Sequence, residues 1–381
     1  MTEKLYDKDS FIKEFTAKVL DSYPKADGFF TILDHTAFFP EGGGQPSDIG
    51  YINDSKVYDV QIKDGIIYHY TTKQFQKGEE VTGVLDFPRR FDFMQQHSGE
   101  HIMSGIAHSL YGCENVGFHL SDDIVTLDFD KPLDDKQISE IEAKANQKIF
   151  ENVAFYTYYP DKQTLNNLNY RSKKELEGDI RIVEIENTDM CACCAPHVKT
   201  AGQIGLIKVV GREKLRGGVR LEIKCGKRAL SDYKTKHNNI SAISSALCVK
   251  QDETATAVDR LLLQIAELKT KITDIKRKAV MEKVESFNTE KEITAEFYED
   301  LEIKDLQHIA DLIYKKCGGI RAVFSETENG FCFAVCSDND RLDNWFKEFK
   351  SAFTVKGGGR NGMVQGTVTA EKQALSDFFS I

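Results

Sequence analysis

The first ninety residues alternate short apolar runs with turn signals, a pattern that predicts β-strands. β-Branched and aromatic residues dominate these runs, and Asp-Gly and Asn-Asp pairs separate them. Short strands at this spacing favour a small β-barrel, preceded by a short helix or strand at the N-terminus. The predicted strands are 28–33, 56–62 and 65–70.

Helical and strand patterns mix between residues 91 and 231, which predicts an α/β domain. A first helix ends near Tyr111 at Gly112, and a second, over 134–151, is amphipathic. The second helix places four apolar residues on one face: Ile138, Ile141, Ala145 and Ile149. The predicted strands are 124–129, 180–186, 204–210 and 219–225.

A heptad pattern follows between residues 232 and 290. Apolar residues recur there at alternating spacings of three and four, at Val258, Leu261, Ile265, Leu268, Ile272 and Ile275. The pattern is typical of a coiled coil, and about three heptads leave four arrangements open. They are a helical arm, a two-helix hairpin with 239–250, a seam between two subunits, and a helix packed in a globular domain.

Residues 291–381 predict a compact C-terminal α/β unit. Its elements are a helix at 304–316, strands at 321–325 and 330–335, and a helix at 340–351. The glycine-rich stretch 355–366 then predicts a loop flanked by Lys356 and Arg360. Such a loop suits a phosphate or an RNA end, or is a tight solvent-exposed turn. The whole chain is therefore expected to be α+β, divided at 1–90, 91–231, 232–290 and 291–381.

Composition narrows the class of protein. The 381 residues, 41% hydrophobic and 29% charged, are ordinary for a globular chain with room for several cores. Neither a signal peptide nor an 18-residue apolar stretch is present, so a cytoplasmic protein with no membrane partner is expected, with its nine cysteines reduced.

The charge distribution bears on nucleic-acid binding. A net charge of −10 argues against indiscriminate nucleic-acid binding. The segment 208–228 departs from this average, because it carries eight basic and two acidic residues. It is either a solvated strand face or a surface for phosphate groups.

His97 and His101 are the first candidate metal ligands, because a separation of four residues places both on one helix face. Alone, the pair fits surface or core histidines as well. A second cluster, Cys191-Ala192-Cys193-Cys194-Ala195-Pro196-His197, supplies the missing half. Cys193 and His197 repeat the spacing, and the two pairs together would give Zn²⁺ the four ligands of a tetrahedron. Cys191 or Cys194 could replace Cys193, and Glu100 does not fit the H-E-x-x-H pattern of zinc proteases.

The three successive glycines at 42–44 allow positive φ angles or a close approach of the backbone to a ligand. They lie in the stretch Phe38-Phe39-Pro40-Glu41-Gly42-Gly43-Gly44-Gln45. A glycine run of this kind is also common in plain turns.

Taken together, these motifs resemble the alanyl-tRNA editing proteins, in the long form with a C-terminal DHHA1-type domain. The stretch 38–45, followed by Asp48 and Gly50, is similar to the family's F-Y-P-E-G-G-G-Q loop. The two ligand pairs are similar to its zinc ligands, and 356–360 with Gln365-Gly366 is similar to the DHHA1 glycine loop. The second ligand motif departs from the usual C-G-G-T-H, since Cys194-Ala195-Pro196 stands in its middle.

The resemblance implies one Zn²⁺ per chain and hydrolysis of serine, or glycine, from mischarged alanine tRNA. It implies metal ligation by His97, His101, Cys193 and His197, with Gln45 and Glu100 as catalytic candidates. Candidate pocket residues are Gly43, Gly44, Phe118 and His119, the last two in a segment expected to fold over the metal. Candidate tRNA contacts are Arg216, Arg220, Lys356 and Arg360. A homodimer through the coiled-coil and C-terminal region is a further expectation.

Two other functions remain compatible with the sequence. A zinc-stabilised RNA-binding module without catalysis would keep the ligands and the basic segment. A metal-dependent esterase acting on a small substrate would need no tRNA body. The sequence leaves open whether zinc is catalytic or structural, because four protein ligands are typical of structural sites.

Overall fold

The computed structural model describes residues 2–25, 27–172, 178–287 and 289–379. Contacts divide the chain into two units, 1–243 and 244–381. Both mix helices and strands, so the chain is α+β as expected. Within the described residues, no helix is both long and apolar enough to cross a bilayer.

Six strands of the first unit close into a barrel, in the order β2-β3-β7-β6-β5-β8. Their inward side chains form its core, which includes Leu33, Val57, Val60 and Ile67. The predicted strands 28–33, 56–62 and 65–70 are confirmed within one or two residues. The N-terminal part contains β1 (Glu3–Lys4), α1 (Leu5–Lys8), β2 (Glu14–Lys25), β3 (Gly28–Leu33), β4 (His35–Thr36), β5 (Gly50–Ile52), β6 (Ser55–Lys63), β7 (Ile66–Thr71) and β8 (Glu80–Leu85).

His69 is a fully buried polar residue inside this barrel. Its ring contacts Thr36 Oγ1 at 2.8 Å and Thr31 O at 3.0 Å. Burial lowers the pKa of His69 to about 4, so the folded chain keeps this ring neutral.

Acidification is therefore expected to destabilise the fold through His69. In the unfolded chain His69 binds a proton near pH 6.5, whereas in the folded chain it stays neutral down to about pH 4. The free energy of unfolding therefore falls as the pH drops from about 6.5 to about 4. Between pH 7 and pH 5 the loss is about 2 kcal/mol. Urea unfolding at both pH values measures it. A His69→Gln variant should be less stable at pH 7 yet lose less on acidification, and an equal loss in both proteins would contradict this account.

The longest helix of the first unit, α2 (Phe87–Tyr111), begins with Asp86, whose side chain accepts a hydrogen bond from Arg89 N. It ends at Gly112, which adopts the left-handed conformation with φ 60°. The helix starts before the histidine segment and ends where the sequence predicted.

A four-stranded sheet packs with α2 and α3 around one core, and its order is β14-β15-β10-β9. The predicted buried face of 134–151 is confirmed, because its four apolar residues are all buried there. The remaining elements are β9 (Asn115–Leu120), β10 (Val125–Phe129), α3 (Asp135–Glu151), β11 (Phe155–Tyr158), α4 (Lys162–Asn167), β12 (Ile182–Ile185), β13 (Asp189–Ala192), β14 (Ile207–Leu215), β15 (Gly218–Cys225) and α5 (Gly226–Leu247).

One predicted strand of this region starts too early. Instead of beginning at 204, β14 begins at Ile207, after a 3₁₀ turn over Ala201–Gln203. Gly205 adopts φ 84°, a left-handed conformation that interrupts an extended chain. The apolar residues around Gly205 follow a strand-like pattern in the sequence, although the backbone turns at this position.

The second unit has a five-stranded sheet of order β16-β17-β18-β20-β19. Helix α7 packs on one face, whereas α8 and α9 pack on the other around Phe324, Phe333 and Phe349. Both faces of β17 and β18 are covered, which explains their continuous apolar runs. The elements are α6 (Thr254–Ser286), β16 (Ile293–Tyr298), α7 (Ile303–Cys317), β17 (Ile320–Thr327), β18 (Gly330–Cys336), α8 (Asn339–Ala352), β19 (Thr354–Arg360), β20 (Met363–Thr369) and α9 (Lys372–Phe378).

The heptad segment forms part of α6, a single 33-residue helix. Its apolar heptad residues are 40–66% exposed within the described structure, so they are not part of a globular core. The remaining interpretations of the heptad stay predictions.

The predicted glycine-rich loop at 355–366 is wrong as a description of the backbone. The stretch forms the β-hairpin β19–β20, with its turn at Asn361 and Gly362, and β19 is the sheet edge. A Cβ on Gly357 or Gly359 would come within 2.2 Å of a carbonyl oxygen of β20. The glycines therefore allow two strands to approach closely, a tertiary requirement that composition does not distinguish from a loop.

Candidate metal and catalytic site

Four predicted ligands meet between α2 and the segment that follows β13. Ligand atoms of His97, His101, Cys193 and His197 all lie within 4.8 Å of one another. Cys193 Sγ lies 3.7 Å from His97 Nε2 and 3.4 Å from His197 Nε2. All three imidazoles are almost fully buried. This donor set of three imidazoles and one thiolate could bind a metal ion.

Each imidazole of the cluster has an oxygen partner on its other nitrogen. His97 Nδ1 contacts Gln45 Oε1 at 3.0 Å, and His101 Nδ1 contacts Asp189 Oδ2 at 3.3 Å. His197 Nδ1 contacts Ser98 Oγ at 3.0 Å. Oxygen partners on Nδ1 fix the ring orientation and leave Nε2 available to a metal, as in known histidine metal sites.

The protonation behaviour of the cluster also suits a metal. Burial alone would raise the pKa of the Cys193 thiol, but the neighbouring His97 and His197 lower it well below its ordinary value. Burial lowers the pKa of His197 to about 3. Burial alone would lower the pKa of His101 too, but the carboxylates of Glu100 and Asp189 raise it well above its ordinary value, so a metal would displace a proton from this ring. The Cys193 thiolate and the neutral His197 ring are already in the protonation state that a metal requires.

Two arginines hold the cysteine segment in place. Arg181 donates to Cys193 O at 3.1 Å and to Ala195 O at 2.9 Å. Arg171 binds both carboxylate oxygens of Asp189, at 2.7 and 2.8 Å. Asp189, the first residue of β13, also contacts His101. Arg171 therefore fixes the carboxylate that orients one imidazole of the cluster.

The three cysteines of the segment point in different directions. Cys193 joins the cluster, and Cys194 is exposed. A Cβ added to Gly43 would lie 3.5 Å from Cys194 Sγ, so this thiol faces the glycine loop. Cys191 is buried in β13 beside Asp189 and His101. The geometry therefore favours Cys193 among the three thiols left open by the sequence.

The glycine loop lies against the cluster and brings Gln45 into it. Gly43 and Gly44 adopt φ angles of 60° and 81°, which only glycine adopts readily. Gln45 is 1% exposed, and its Nε2 has no hydrogen-bond partner within the described residues. A buried amide without a partner is costly, so this donor is free for a ligand.

Asp48 anchors the same loop to α2. It accepts hydrogen bonds from Arg90 and from Phe39 N, while Arg90 also donates to Ala37 O at 2.7 Å and to Ser10 O at 3.1 Å. Arg90 is fully buried, and it lies seven residues before His97 on the same helix. One guanidinium therefore fixes the distance between the loop and the histidine pair.

Glu100 is fully buried and points one oxygen toward the cluster. Its Oε2 lies 3.9 Å from Nε2 of both His97 and His101. Its Oε1 accepts from Ser104 Oγ at 2.7 Å and from Asn115 Nδ2 at 2.6 Å. The carboxylate is thus held rigidly, with the second oxygen beside the position where four ligand atoms converge.

Of the two residues predicted to cover the metal from β9, the structure places only Phe118 near the cluster. Its ring centroid lies 4.7 Å from that of His97, and a Cβ on Gly44 would approach the ring to 2.9 Å. His119 is exposed, because successive side chains of a strand point to opposite faces. The expectation for His119 overlooked this alternation.

The basic segment 208–228 carries less free charge than its sequence indicates. Five of its eight cations form ion pairs with acidic residues of neighbouring elements: Lys208–Glu142, Arg212–Asp135, Arg220–Asp128, Lys224–Asp232 and Arg228–Asp92. Arg216, at the tip of the β14–β15 hairpin, has no ion pair within the described part of the chain. Arg216 therefore remains available to a phosphate, whereas Arg220 is bound by Asp128.

The other two predicted tRNA contacts lie in the second unit. Lys356 and Arg360 are exposed on the edge strand β19. They lie four residues apart, so both point to the same side of the strand.

Several residues that support the cluster were not predicted from the sequence, namely Asp189, Arg171, Arg181, Ser98 and Arg90. Asp189 was the most accessible to sequence reasoning, because it precedes Cys191 by two residues and carboxylates commonly orient metal-bound histidines. The arginines carry no local signal, since their partners lie far away along the chain.

Comparison with known proteins identifies the family. Residues 5–89 match the model of class II (A) tRNA synthetases, and 180–222 match the second additional domain of threonyl and alanyl tRNA synthetases. The chain is 29% identical to the alanyl-tRNA editing protein AlaX-L of Pyrococcus horikoshii, over 99% of this chain and 97% of that protein. It is 28% identical to the alanine–tRNA ligase of Pyrococcus abyssi, of which it covers 43%.

The sequence of a further relative is similar enough to this chain to establish the family. The alanyl-tRNA editing protein Aarsd1-B of Xenopus laevis is 31% identical over 72% of this chain and 71% of its own length. The solved C-Ala domain of Aquifex aeolicus alanyl-tRNA synthetase aligns with a TM-score of only 0.21 and adds nothing. With the histidine and cysteine cluster in place, these similarities show that the chain belongs to the alanyl-tRNA editing proteins.

Proposed function

We propose that this chain removes serine, and also glycine, from mischarged alanine tRNA by hydrolysing the aminoacyl ester. As an alanyl-tRNA editing protein the chain is a deacylating hydrolase, and the choice of amino acid is the proposed part. The observation that carries it is the buried cluster with Glu100 Oε2 at 3.9 Å from two of its imidazoles and with Gln45 Nε2, which has no hydrogen-bond partner among the described residues, beside it. A pocket that rejects an added hydroxyl discriminates serine from alanine only about 100-fold, so a correcting hydrolase is needed.

The proposed metal is Zn²⁺, one per chain, held by His97, His101, Cys193 and His197. Borderline-soft Zn²⁺ suits imidazole and thiolate donors together, and the buried oxygen partners on all three Nδ1 atoms support this ligand set. When bound, Zn²⁺ would supply a Lewis acid that polarises the substrate or acidifies water, or would hold the substrate's amino group.

The chain's own residues then divide the remaining work. Glu100 Oε2 accepts the proton of the attacking water and returns it to the ribose oxygen that leaves. Gln45 keeps His97 oriented through Oε1 and offers Nε2–H to the carbonyl oxygen, where negative charge develops. Gly43 and Gly44 admit the substrate close to the backbone, and Phe118 forms the wall beside His97.

The tRNA body is proposed to contact exposed cations of both units. Arg216 at the hairpin tip and Lys356 and Arg360 on β19 are the phosphate contacts, and Arg220 joins them only if Asp128 releases it. The division 1–90, 91–231, 232–290 and 291–381, with a DHHA1-like last part, remains our proposed domain organisation. A homodimer that forms through the exposed heptad face of α6 is also proposed. Its substrate indicates that the protein acts in the cytoplasm.

The test is to incubate the full chain with alanine tRNA charged with serine, glycine or alanine and to follow release of each amino acid. Serine is expected to be lost fastest, glycine more slowly, and alanine at the uncatalysed rate. A small seryl ester without tRNA should react far more slowly. If the chain binds tRNA and metal but leaves serine attached, the proposal fails and a zinc-stabilised RNA-binding module replaces it. Equal rates with the small ester would instead indicate a general esterase.

A further inference from the structure

Five aromatic side chains cross the outer face of the barrel on four neighbouring strands. Tyr23 on β2 pairs with Phe30 on β3, and Phe30 pairs with Tyr70 on β7. Tyr58 on β6 and Tyr68 on β7 complete the group, which we call the aromatic band. Neighbouring ring centroids lie 4.5–5.9 Å apart.

The band is not needed for the barrel core, which inward-facing residues of the same strands already fill. Tyr23 and Tyr58 are 38% and 37% exposed, and the other three members are partly exposed. Outward faces of small barrels are normally polar, so a continuous group of five aromatic rings that are all at least partly exposed indicates a binding surface.

Lys25 shows that the ring faces accept a partner. Its Nζ lies 3.6 Å from the ring centroid of Tyr70 and 4.6 Å from that of Phe30, which are cation–π distances. Nucleobases stack on the same ring faces, and the displaced ammonium group can then bind a phosphate. Exposed aromatic rings combined with a nearby cation are the surface that unpaired nucleotides recognise.

The band is continuous with the glycine loop of the proposed active site. Tyr68 pairs with Gln61, whose Nε2 donates to Glu41 Oε2 at 3.1 Å. Tyr70 pairs with Asp59, which accepts from Ser47 Oγ at 2.7 Å. Glu41 and Ser47 flank the loop that carries Gln45, so the band adjoins the loop of the proposed active site.

We propose that the aromatic band stacks the unpaired nucleotides at the 3′ end of the tRNA, next to the aminoacylated nucleotide. This inference rests on the proposed function, because the ester at the 3′ terminus must enter the cluster while the preceding bases lie outside it. Stacking tolerates different bases, so the band positions the end of the RNA without reading its sequence.

A double substitution Tyr58→Ile and Tyr70→Ile tests the band, since isoleucine keeps strand propensity and apolar area but removes the flat rings. The KM for seryl-tRNA is expected to rise about tenfold or more with kcat unchanged, because stacking on the rings would be lost. Hydrolysis of a seryl ester of adenosine, which has no preceding nucleotides, should not change. Tyr51→Ile, an exposed tyrosine on β5 of the same barrel, is the matched control and should behave as wild type. Tyr58→Phe with Tyr70→Phe should also keep the wild-type KM.

A binding measurement separates this inference from the proposed function. Fluorescence anisotropy compares an RNA hairpin with a four-nucleotide 3′ overhang and the same hairpin with a blunt end. The wild-type chain should bind the overhang more tightly, and the isoleucine pair should lose that difference. If deacylation is absent but the overhang preference depends on the tyrosines, the proposed function fails and the band stands. Equal binding of both hairpins by the wild type, or an unchanged KM in the folded isoleucine variant, overturns the band.

Discussion

Replacing Cys193 by alanine is expected to remove both the bound metal and serine deacylation. Cys193 Sγ is the one sulfur in the four-residue cluster, and without it three imidazoles remain, one of them 3.4 Å from the lost atom. Bound zinc, measured by elemental analysis, should fall from about one per chain to near zero, and release of serine should fall to the uncatalysed rate.

Cys194→Ala is the matched control for this substitution, because Cys194 is adjacent but exposed and outside the cluster. It should retain both metal and activity. The opposite pattern, with metal lost from Cys194→Ala and kept by Cys193→Ala, would reassign the thiolate ligand. Metal loss together with full serine release would show that the metal does not take part in the reaction.

The substitution Glu100→Gln is expected to lower kcat by roughly 10²–10⁴-fold while zinc content and KM stay near wild type. Glutamine is isosteric and can keep the contacts to Ser104 and Asn115, but it cannot accept a proton at the position of Oε2. The acidic limb of the pH–rate profile should disappear in this variant. Single-turnover release of serine over a range of pH values measures both effects.

Glu114→Gln controls for loss of one carboxylate, since Glu114 lies just after the same helix and its side chain is about half exposed. It should leave kcat and the pH profile unchanged. If Glu100 had only a structural role, Glu100→Gln would lower thermal stability or metal content. The shape of the pH–rate profile would then stay the same.

Those parts of the site whose residues lie close together in the chain could be predicted from sequence alone. Two residues four apart on a helix must share a face, so the His97 and His101 pair was readable without the fold. The glycine loop and the Cys193 and His197 motif lie outside helices, and they were readable from their composition and close spacing in the chain. Alternating and heptad patterns likewise determined most strands and helices, because burial of one face repeats with the period of the element.

The groups that surround those motifs could be identified only from the three-dimensional fold. The partners of the three imidazoles, Gln45, Asp189 and Ser98, come from different elements, and no spacing rule connects residues 52 or 88 positions apart. The charge of segment 208–228 was misjudged for that reason, since its acidic partners belong mainly to other elements. The hairpin at 354–369 depended on backbone approach across two strands, and the aromatic band on register across four. Local pattern determines the element and its buried face, whereas long-range pairing determines what each exposed or functional side chain meets.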